Sequence, residues 1–197
     1  VISIVKNNPQ IFAVMGNHED MMLKNFDPSD FENLSTDQHA WMYNGGRATV
    51  NSYIKEFEDD NGEINKFMLK KRGGKDLAWL DSLPHHIVLD EFRLVHAGYM
   101  PHDLAPDLQS KETLMWVRRD FHETIFPIDN KRTVIFGHSP MPMFGLSQTE
   151  VWESDAELPN GRAAAIGIDS CCYGGNDPQL TAINLQTGEI IKQKRRD

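Results

Sequence analysis

The chain has 197 residues, of which 40% are hydrophobic and 25% are charged, an ordinary composition for a globular protein. Its formal net charge of −9 argues against non-specific binding to nucleic acid or to an anionic membrane surface, because both would repel it. No apolar stretch approaches the roughly 20 residues that a membrane-spanning helix needs, and the first residues lack the features of a signal peptide. We therefore expect one soluble domain over residues 1–197, located in the cytoplasm, with no nucleic-acid or membrane partner.

An apolar run at residues 11–15 is the first predicted element. Its β-favouring residues predict a buried strand, and Gly16 then permits a tight turn that presents Asn17 and His18. Polar residues that follow the strands of an open α/β sheet gather at the carboxyl edge of the sheet, where ligands bind. The alternative at this point is that Asn17 only caps the next helix, with the two acidic residues after His18 interacting favourably with the helix dipole.

The following part of the chain predicts helices, which form a helical insert at about 25–83 of the same domain. Apolar residues recur there at helical spacing and are expected to build the core. The run Asn44-Gly45-Gly46 is expected to end one of these helices. The predicted helices lie at about 18–26, from Ser35 or Thr36 through Met42, at 48–58 and at 75–83.

Short strands dominate the rest of the chain. The second strand of a predicted hairpin ends at His96, and a later strand ends just before Gly137 and His138. A helix is predicted at about 111–121. The predicted strands lie at 87–89 and 92–95, which form the hairpin, and at 133–136, 163–168, 180–185 and 189–192.

Three of the predicted strands end at residues that can bind a metal, namely Asn17 with His18, His96, and His138. An amide oxygen and imidazole nitrogens suit a divalent ion such as Mn²⁺, Zn²⁺ or Fe²⁺, and strand ends at one edge of a sheet bring distant residues together. Such wide spacing is not itself a metal signature, and one histidine at a strand end is usually structural. The threefold recurrence is what favours a metal site.

The two cysteines, Cys171 and Cys172, are adjacent in the sequence. A structural disulfide between neighbours would be strained, and their spacing does not match a zinc ribbon. The sequence therefore predicts two free thiols.

Several motifs resemble one known family. The segments GNHEDMM, VHAG and FGHSP, in this order, are similar to those of the calcineurin-like metallophosphoesterases, most closely the bacterial and phage-type serine/threonine protein phosphatases. The segments WMYNGG, IDSCCYGG and LTAINLQTGE resemble the same group, so the resemblance spans nearly the whole chain. It implies a four-layer αββα sandwich that holds two divalent metal ions, Mn²⁺ first and Fe or Zn as alternatives. The two ions would bind the phosphate and activate a bridging hydroxide.

The resemblance also implies roles for individual residues. Asn17, His96 and His138 would ligate one metal ion, and His18 would be the general acid that protonates the leaving oxygen. Arg118, which follows a tryptophan by two positions, would bind the phosphate through its planar guanidinium group. The alternatives are that Arg118 is a solvated helix charge or an ion-pair partner, and that the neighbouring arginine binds the phosphate instead.

Two motifs of the family are missing from the sequence. Members carry G-D-x-H-G and G-D-x-x-D-R-G before GNHE, which supply the carboxylate ligands and a second phosphate-binding arginine, and neither occurs here. We therefore expect that a strand-helix segment of about 50 residues precedes Val1 in the complete protein. The alternative is a natural homologue that has lost these motifs. The three remaining ligands are neutral and should hold a divalent ion weakly, so the chain alone is expected to be inactive or weakly active.

The expected activity is metal-dependent hydrolysis of a phosphoric ester in a phosphoprotein or a phosphorylated small molecule. Dephosphorylation of phosphoserine or phosphothreonine in proteins is the leading reading, because Glu19 gives GNHE where dinucleoside tetraphosphatases tend to carry GNHD. Symmetrical cleavage of bis(5′-nucleosyl) tetraphosphates is the first alternative, since it uses the same site chemistry. A binding or regulatory module of the same fold without turnover is the second.

Overall fold

The structure is a computed structural model that describes residues 1–30, 39–101 and 105–196. The chain divides into two compact units, Val1–Pro84 and His85–Asp197. The first unit is helical in its described part, and the predicted insert at about 25–83 lies within it. The second unit contains the strands.

Five α-helices form the described part of the first unit. The predicted helices at about 18–26 and 48–58 match α2 and α4, while α5 begins nine residues before the predicted start at 75. The predicted cap at Ser35 or Thr36 lies outside the described residues. The predicted helix end at Asn44-Gly45-Gly46 is a wide turn in which Gly45 has a φ of 101°, a conformation that favours glycine. The helices are α1 Ile2–Lys6, α2 Asn17–Asn25, α3 His39–Trp41, α4 Arg47–Phe57 and α5 Lys66–Asp81, with the wide turn Met42–Gly46 between α3 and α4.

The core of this unit confirms that the apolar residues at helical spacing are packing residues. Leu80 in α5 is 2% exposed, and Leu77 and Leu83 pack against the same cluster. A buried carboxylate, Asp76, is held at the core by three donors. The apolar members of the cluster are Met22, Phe26, Trp41, Val50, Tyr53, Leu69 and Leu80, and the donors to Asp76 are Lys6, Tyr53 and Arg72.

The strand predicted at residues 11–15 does not form. These residues have no regular secondary structure, and the Phe12 side chain is 81% exposed. The Met15 N–H donates to the Pro84 carbonyl at 2.8 Å, but no described strand pairs with the run. Residues with high β propensity form a strand only alongside a hydrogen-bonding neighbour, so the prediction from propensity was wrong here.

A five-stranded mixed sheet forms the centre of the second unit, in the order β1-β2-β3-β5-β4. The predicted hairpin of β1 and β2 is confirmed, while β4 was not predicted. Strands β2, β3 and β5 are neighbours and run parallel, so their carboxyl ends share one edge. The strands are β1 His86–Val88, β2 Phe92–Val95, β3 Thr133–Phe136, β4 Trp152–Glu153 and β5 Ala165–Gly167, and a separate two-stranded sheet comprises β6 Gln179–Ile183 and β7 Ile190–Lys194.

The helix predicted at about 111–121 is two short helices, α6 Lys111–Trp116 and α7 Arg119–His122. Val117 adopts an extended ψ of 143°, and Arg118 has a φ of −133° and a ψ of −94°. Burial of the Val117 side chain, which is 8% exposed, stabilises this break. Helical periodicity alone could not reveal it, because apolar residues on both sides of the break enter the same core.

The structure therefore confirms an α/β protein with a five-stranded mixed sheet and helices. Within the described ranges, no helix is long and apolar enough to cross a membrane.

Candidate functional site

The carboxyl edge of the three parallel strands carries a polar residue after each strand. His96 follows β2 directly, and His138 and Asp169 each lie two residues beyond the ends of β3 and β5. Backbone hydrogen bonds join the loops: the Gly137 N–H donates to the His96 carbonyl and the Met141 N–H to the Asp169 carbonyl, both at 2.9 Å. The sheet topology thus assembles residues that are far apart in the sequence, as expected for a ligand site in an α/β sheet.

His96 and His138 are in direct contact. The Nε2 atom of His96 lies 3.1 Å from the Nδ1 atom of His138, and the ring centroids are 4.9 Å apart. His138 is 8% exposed and has a φ of 61°, a left-handed conformation that costs a non-glycine residue about 1 kcal/mol. Backbone strain of this kind is concentrated at functional sites, where the surrounding structure enforces it.

The two nitrogen atoms are at hydrogen-bond distance, 3.1 Å. The same separation is close to the roughly 3.0 Å between two nitrogen ligands that lie at right angles, each about 2.1 Å from one ion, so the pair could also hold a divalent ion. Over residues 1–30, 39–101 and 105–196, no group of three or more His, Cys, Asp or Glu side chains is placed to hold a metal. Within the second unit, the pair thus supplies two neutral ligands.

The Arg118 side chain contacts the backbone of His138. Its Nη1 atom donates to the His138 carbonyl at 2.9 Å and to the Ser139 hydroxyl at 3.0 Å. Burial lowers the pKa of Arg118, and the nearby Asp169 carboxylate opposes this effect. The Arg118 side chain is half-buried, and within residues 1–30, 39–101 and 105–196 it forms no close ion pair.

Arg119, the alternative phosphate-binding residue, occupies a different environment. Its side chain is 83% exposed, and its Nε atom donates to the Glu123 carboxylate at 2.8 Å. This surface ion pair lies within helix α7 and its C-cap, whereas Arg118 lies at the N-cap of that helix. Of the two adjacent arginines, the structure places Arg118 beside the histidine pair.

An exposed aromatic residue borders the same site. The Trp116 ring meets His138 edge-on at a centroid distance of 6.1 Å and is 41% exposed. It lines a cleft of about 390 Å³ together with Arg118, Ser110 and Thr113. The cleft therefore adjoins the candidate phosphate-binding group and offers both an aromatic face and hydroxyl groups.

The sequence analysis did not identify Asp169. Its negative charge interacts with the Arg118 guanidinium and raises the pKa of that group. Its signal was present, because Asp169 follows the strand predicted at 163–168 just as His96 and His138 follow theirs. Its Oδ1 atom accepts the Cys171 N–H at 2.9 Å. Applying the strand-end pattern to every predicted strand would have found it.

Asn17 and His18 begin helix α2 in the first unit. Asn17 is 6% exposed, and His18 is exposed. Gly16, rather than Asn17, is the N-cap, and its N–H donates to the Glu19 carboxylate at 3.1 Å. Asp20 pairs with Lys24 at 2.7 Å, so the two acidic residues stabilise the helix as expected.

Another histidine in the second unit, His122, has no place in the histidine pair. It stacks on Phe136 and contacts Phe144 and Trp152. Its Nε2 atom is buried without a hydrogen-bond partner among the described residues. Burial, followed by the charge of Arg118, lowers the pKa of His122 to about 4, so the ring is neutral near pH 7.

The motifs and this geometry carry the functional interpretation by themselves. Comparisons of the chain with protein-family models, with curated proteins and with solved structures found no match.

Proposed function

We propose that the chain belongs to a metal-dependent phosphoric ester hydrolase of the calcineurin-like metallophosphoesterase type, acting as a serine/threonine protein phosphatase. One observation carries the proposal: His96 and His138 are 3.1 Å apart at a sheet edge where Arg118 donates to the His138 carbonyl. Paired imidazoles beside a guanidinium group provide ligands for a divalent ion and a cation for a phosphate. The four-layer αββα sandwich and the cytoplasmic location are parts of this proposal, and the five-stranded mixed sheet supports the fold.

Each named residue has one task in this function. His96 and His138 would hold a divalent ion, most readily Mn²⁺, and the motif resemblance adds Asn17 as a ligand and a second ion in the complete site. A bound ion supplies Lewis acidity and a water of lowered pKa. Arg118 binds two phosphoryl oxygens through its planar donors, which orients the phosphate and balances its charge. His18, exposed at the start of α2, donates a proton to the leaving oxygen.

The proposed ligand set predicts slow hydrolysis of the phosphoric ester. Asn17, His96 and His138 are all neutral, and ligand charge contributes much of the affinity for a divalent cation. We therefore expect hydrolysis to require Mn²⁺ in large excess over the protein.

A second candidate is symmetrical hydrolysis of bis(5′-nucleosyl) tetraphosphates. The exposed ring of Trp116 beside Arg118 favours it, because a base can stack on an aromatic side chain next to a bound phosphate. Glu19 in the GNHE motif favours the protein phosphatase, and we rank that activity first.

The test compares phosphate release from a phosphoserine peptide with formation of nucleoside diphosphate from a dinucleoside tetraphosphate, with excess Mn²⁺ and with a chelator. We expect Mn²⁺-dependent hydrolysis that is faster for the peptide, and loss of hydrolysis in His138→Ala. Faster cleavage of the dinucleotide would select the second candidate. If neither substrate is cleaved and inorganic phosphate does not bind in the presence of Mn²⁺, the chain is a module without turnover and the proposal is wrong.

A further inference from the structure

The loop after β5 carries two adjacent free thiols that no proposed catalytic step uses. Cys171 is buried, at 8% exposure, whereas Cys172 is exposed. Cys171 has a φ of 56°, so a side chain with a Cβ atom occupies the left-handed region that normally favours glycine. A dissolved reagent can therefore reach Cys172 first, and Cys171 is its covalent neighbour.

Four hydrogen bonds from two donor groups fix this turn. The Nε2 group of Gln148, a residue 5% exposed, donates to the carbonyls of Ser170, Cys171 and Gly174 at 3.0, 3.1 and 2.8 Å. The Cys171 N–H donates to the Asp169 carboxylate at 2.9 Å. These bonds explain how the strained conformation of Cys171 persists, because the surrounding groups determine it.

The same turn is connected to the candidate phosphate site. Asp169 interacts electrostatically with Arg118, and its carboxylate is oriented by the Cys171 N–H. The neighbouring Cys171 thiol, followed by burial, raises the pKa of the Tyr173 phenol to about 12. A change in the backbone at Cys171 would therefore move two groups, Asp169 and Tyr173, that interact electrostatically with Arg118.

We propose that Cys171 and Cys172 form a vicinal dithiol that hydroperoxides convert reversibly to an intramolecular disulfide. The Cys172 thiolate attacks the hydroperoxide, which leaves as an alcohol while Cys172 becomes a sulfenic acid. The Cys171 thiolate then attacks that sulfur and expels water. Overall the two thiols lose two hydrogen atoms, and one hydroperoxide is reduced to an alcohol and water.

The disulfide would be labile and would distort the loop. Cα atoms across a trans peptide are about 3.8 Å apart, below the roughly 4.4 Å at which disulfides become common. Closure must therefore change the backbone at Cys171 and disturb its hydrogen bonds to Asp169 and Gln148. A strained disulfide is readily reduced, which is the property of a regulatory rather than a structural bond.

Intact-mass spectrometry of the folded chain, treated with a small organic hydroperoxide, tests the covalent step. We expect a monomer that has lost two hydrogen atoms, a thiol count that falls from two to zero, and full reversal by dithiothreitol. The reduced chain should also bind one phenylarsine oxide, a reagent that needs two neighbouring thiols, and the oxidised chain none. Sulfinic acid at Cys172 with an intact Cys171 thiol, or disulfide-linked dimers as the main product, would overturn the proposal.

The variants Cys171→Ser and Cys172→Ser provide the matched controls, and each should lose both the internal disulfide and arsenical binding. The effect on the site rests on the proposed function, and we expect oxidation to weaken binding of inorganic phosphate several-fold in the wild type but not in Cys172→Ser. A disulfide that leaves phosphate binding unchanged overturns the coupling to Arg118. A reduced chain that never binds phosphate contradicts the proposed function while leaving the disulfide standing.

Discussion

Arg118 and Arg119 are neighbours in the sequence but differ in every property that matters for binding a phosphate. Arg118 lies at the break between α6 and α7 and reaches His138, while Arg119 continues into α7 and pairs with Glu123 at the surface. The sequence pattern favoured Arg118 only through its distance from a tryptophan. The break in the helix separates the two side chains, and helical periodicity does not predict the break.

Replacing Arg118 with methionine should lower the affinity for inorganic phosphate, measured by calorimetry with Mn²⁺ present, by at least about tenfold, because a charged hydrogen bond contributes about 1.5–3 kcal/mol. Arg119→Met is the matched control, and its phosphate affinity should stay within about twofold since exposed ion pairs contribute about 0–1 kcal/mol. Equal losses in both variants would indicate a general charge effect and contradict a specific role for Arg118.

The neutral, buried ring of His122 should make the second unit sensitive to mild acid. The folded-state pKa of about 4 lies below the ordinary value of 6.5, so the unfolded chain binds the proton first as the pH falls. The free energy of unfolding should therefore decrease between about pH 6.5 and pH 4, by up to about 3 kcal/mol from this group. Below about pH 4 its contribution should stay constant.

The variant His122→Phe isolates this effect, since it fills the aromatic pocket without a titratable group. Urea unfolding at several pH values should show a smaller loss of stability between pH 7 and pH 4.5 than in the wild type. The pKa of His86 is also lowered by burial, so the difference between the two proteins is the quantity to compare. An identical pH dependence would mean that His122 is not neutral and buried.

Helix α5 shows how packing decides the effect of a glycine at the scale of one element. A Cβ atom on Gly73 would lie 2.5 Å from the Cβ atom of Pro28, whereas a Cβ atom on Gly74 would meet nothing within 4 Å. The two residues are adjacent in the same helix, so their intrinsic preferences are equal. The sequence predicted a helix only from 75, whereas α5 begins at Lys66 and contains both glycines, although glycine has a low intrinsic helix preference.

Gly74→Ala should raise the free energy of unfolding by up to about 1 kcal/mol, since alanine is the better helix former. Gly73→Ala should lower it by about 1–3 kcal/mol through overpacking against Pro28. Urea unfolding followed by circular dichroism measures both. If the two variants change stability in the same direction, the packing of Pro28 on α5 is wrong.

Strand β2 carries a buried cation that connects the sheet to two loops. The Arg93 side chain is 6% exposed, and it donates to Asp107 and Asp129 at 2.7 Å each. Arg93→Met should lower the free energy of unfolding of the second unit by about 1–3 kcal/mol, because it removes one donor from the largely buried Asp129 carboxylate, which Arg132 and the Lys131 N–H still contact. Hydrogen exchange of the β2 and β3 amides measures the loss, and an effect as small as that of Arg119→Met would contradict the network.

At the scale of the whole molecule, the sequence predicted the α/β class and the meeting of His96 with His138, because both follow from the order of strands in a parallel sheet. It could not predict the loop that positions Asp169, since that loop depends on Gln148 from a distant segment. The failed strand at residues 11–15 has the same origin: local preference does not specify partners. The net charge of −9 is a property of the whole chain and does not predict the local charge at the site, where the cationic Arg118 lies beside the histidine pair.

The claim that His96 and His138 hold one divalent ion is tested by titrating the chain with Mn²⁺ and following free Mn²⁺ by electron paramagnetic resonance. We expect one Mn²⁺ per chain, lost in His96→Ala and in His138→Ala, with the double variant no worse than either single variant because both nitrogens serve one ion. His122→Phe, which removes a histidine outside the pair, should bind as the wild type does. Wild-type Mn²⁺ affinity in either alanine variant would contradict a shared ion.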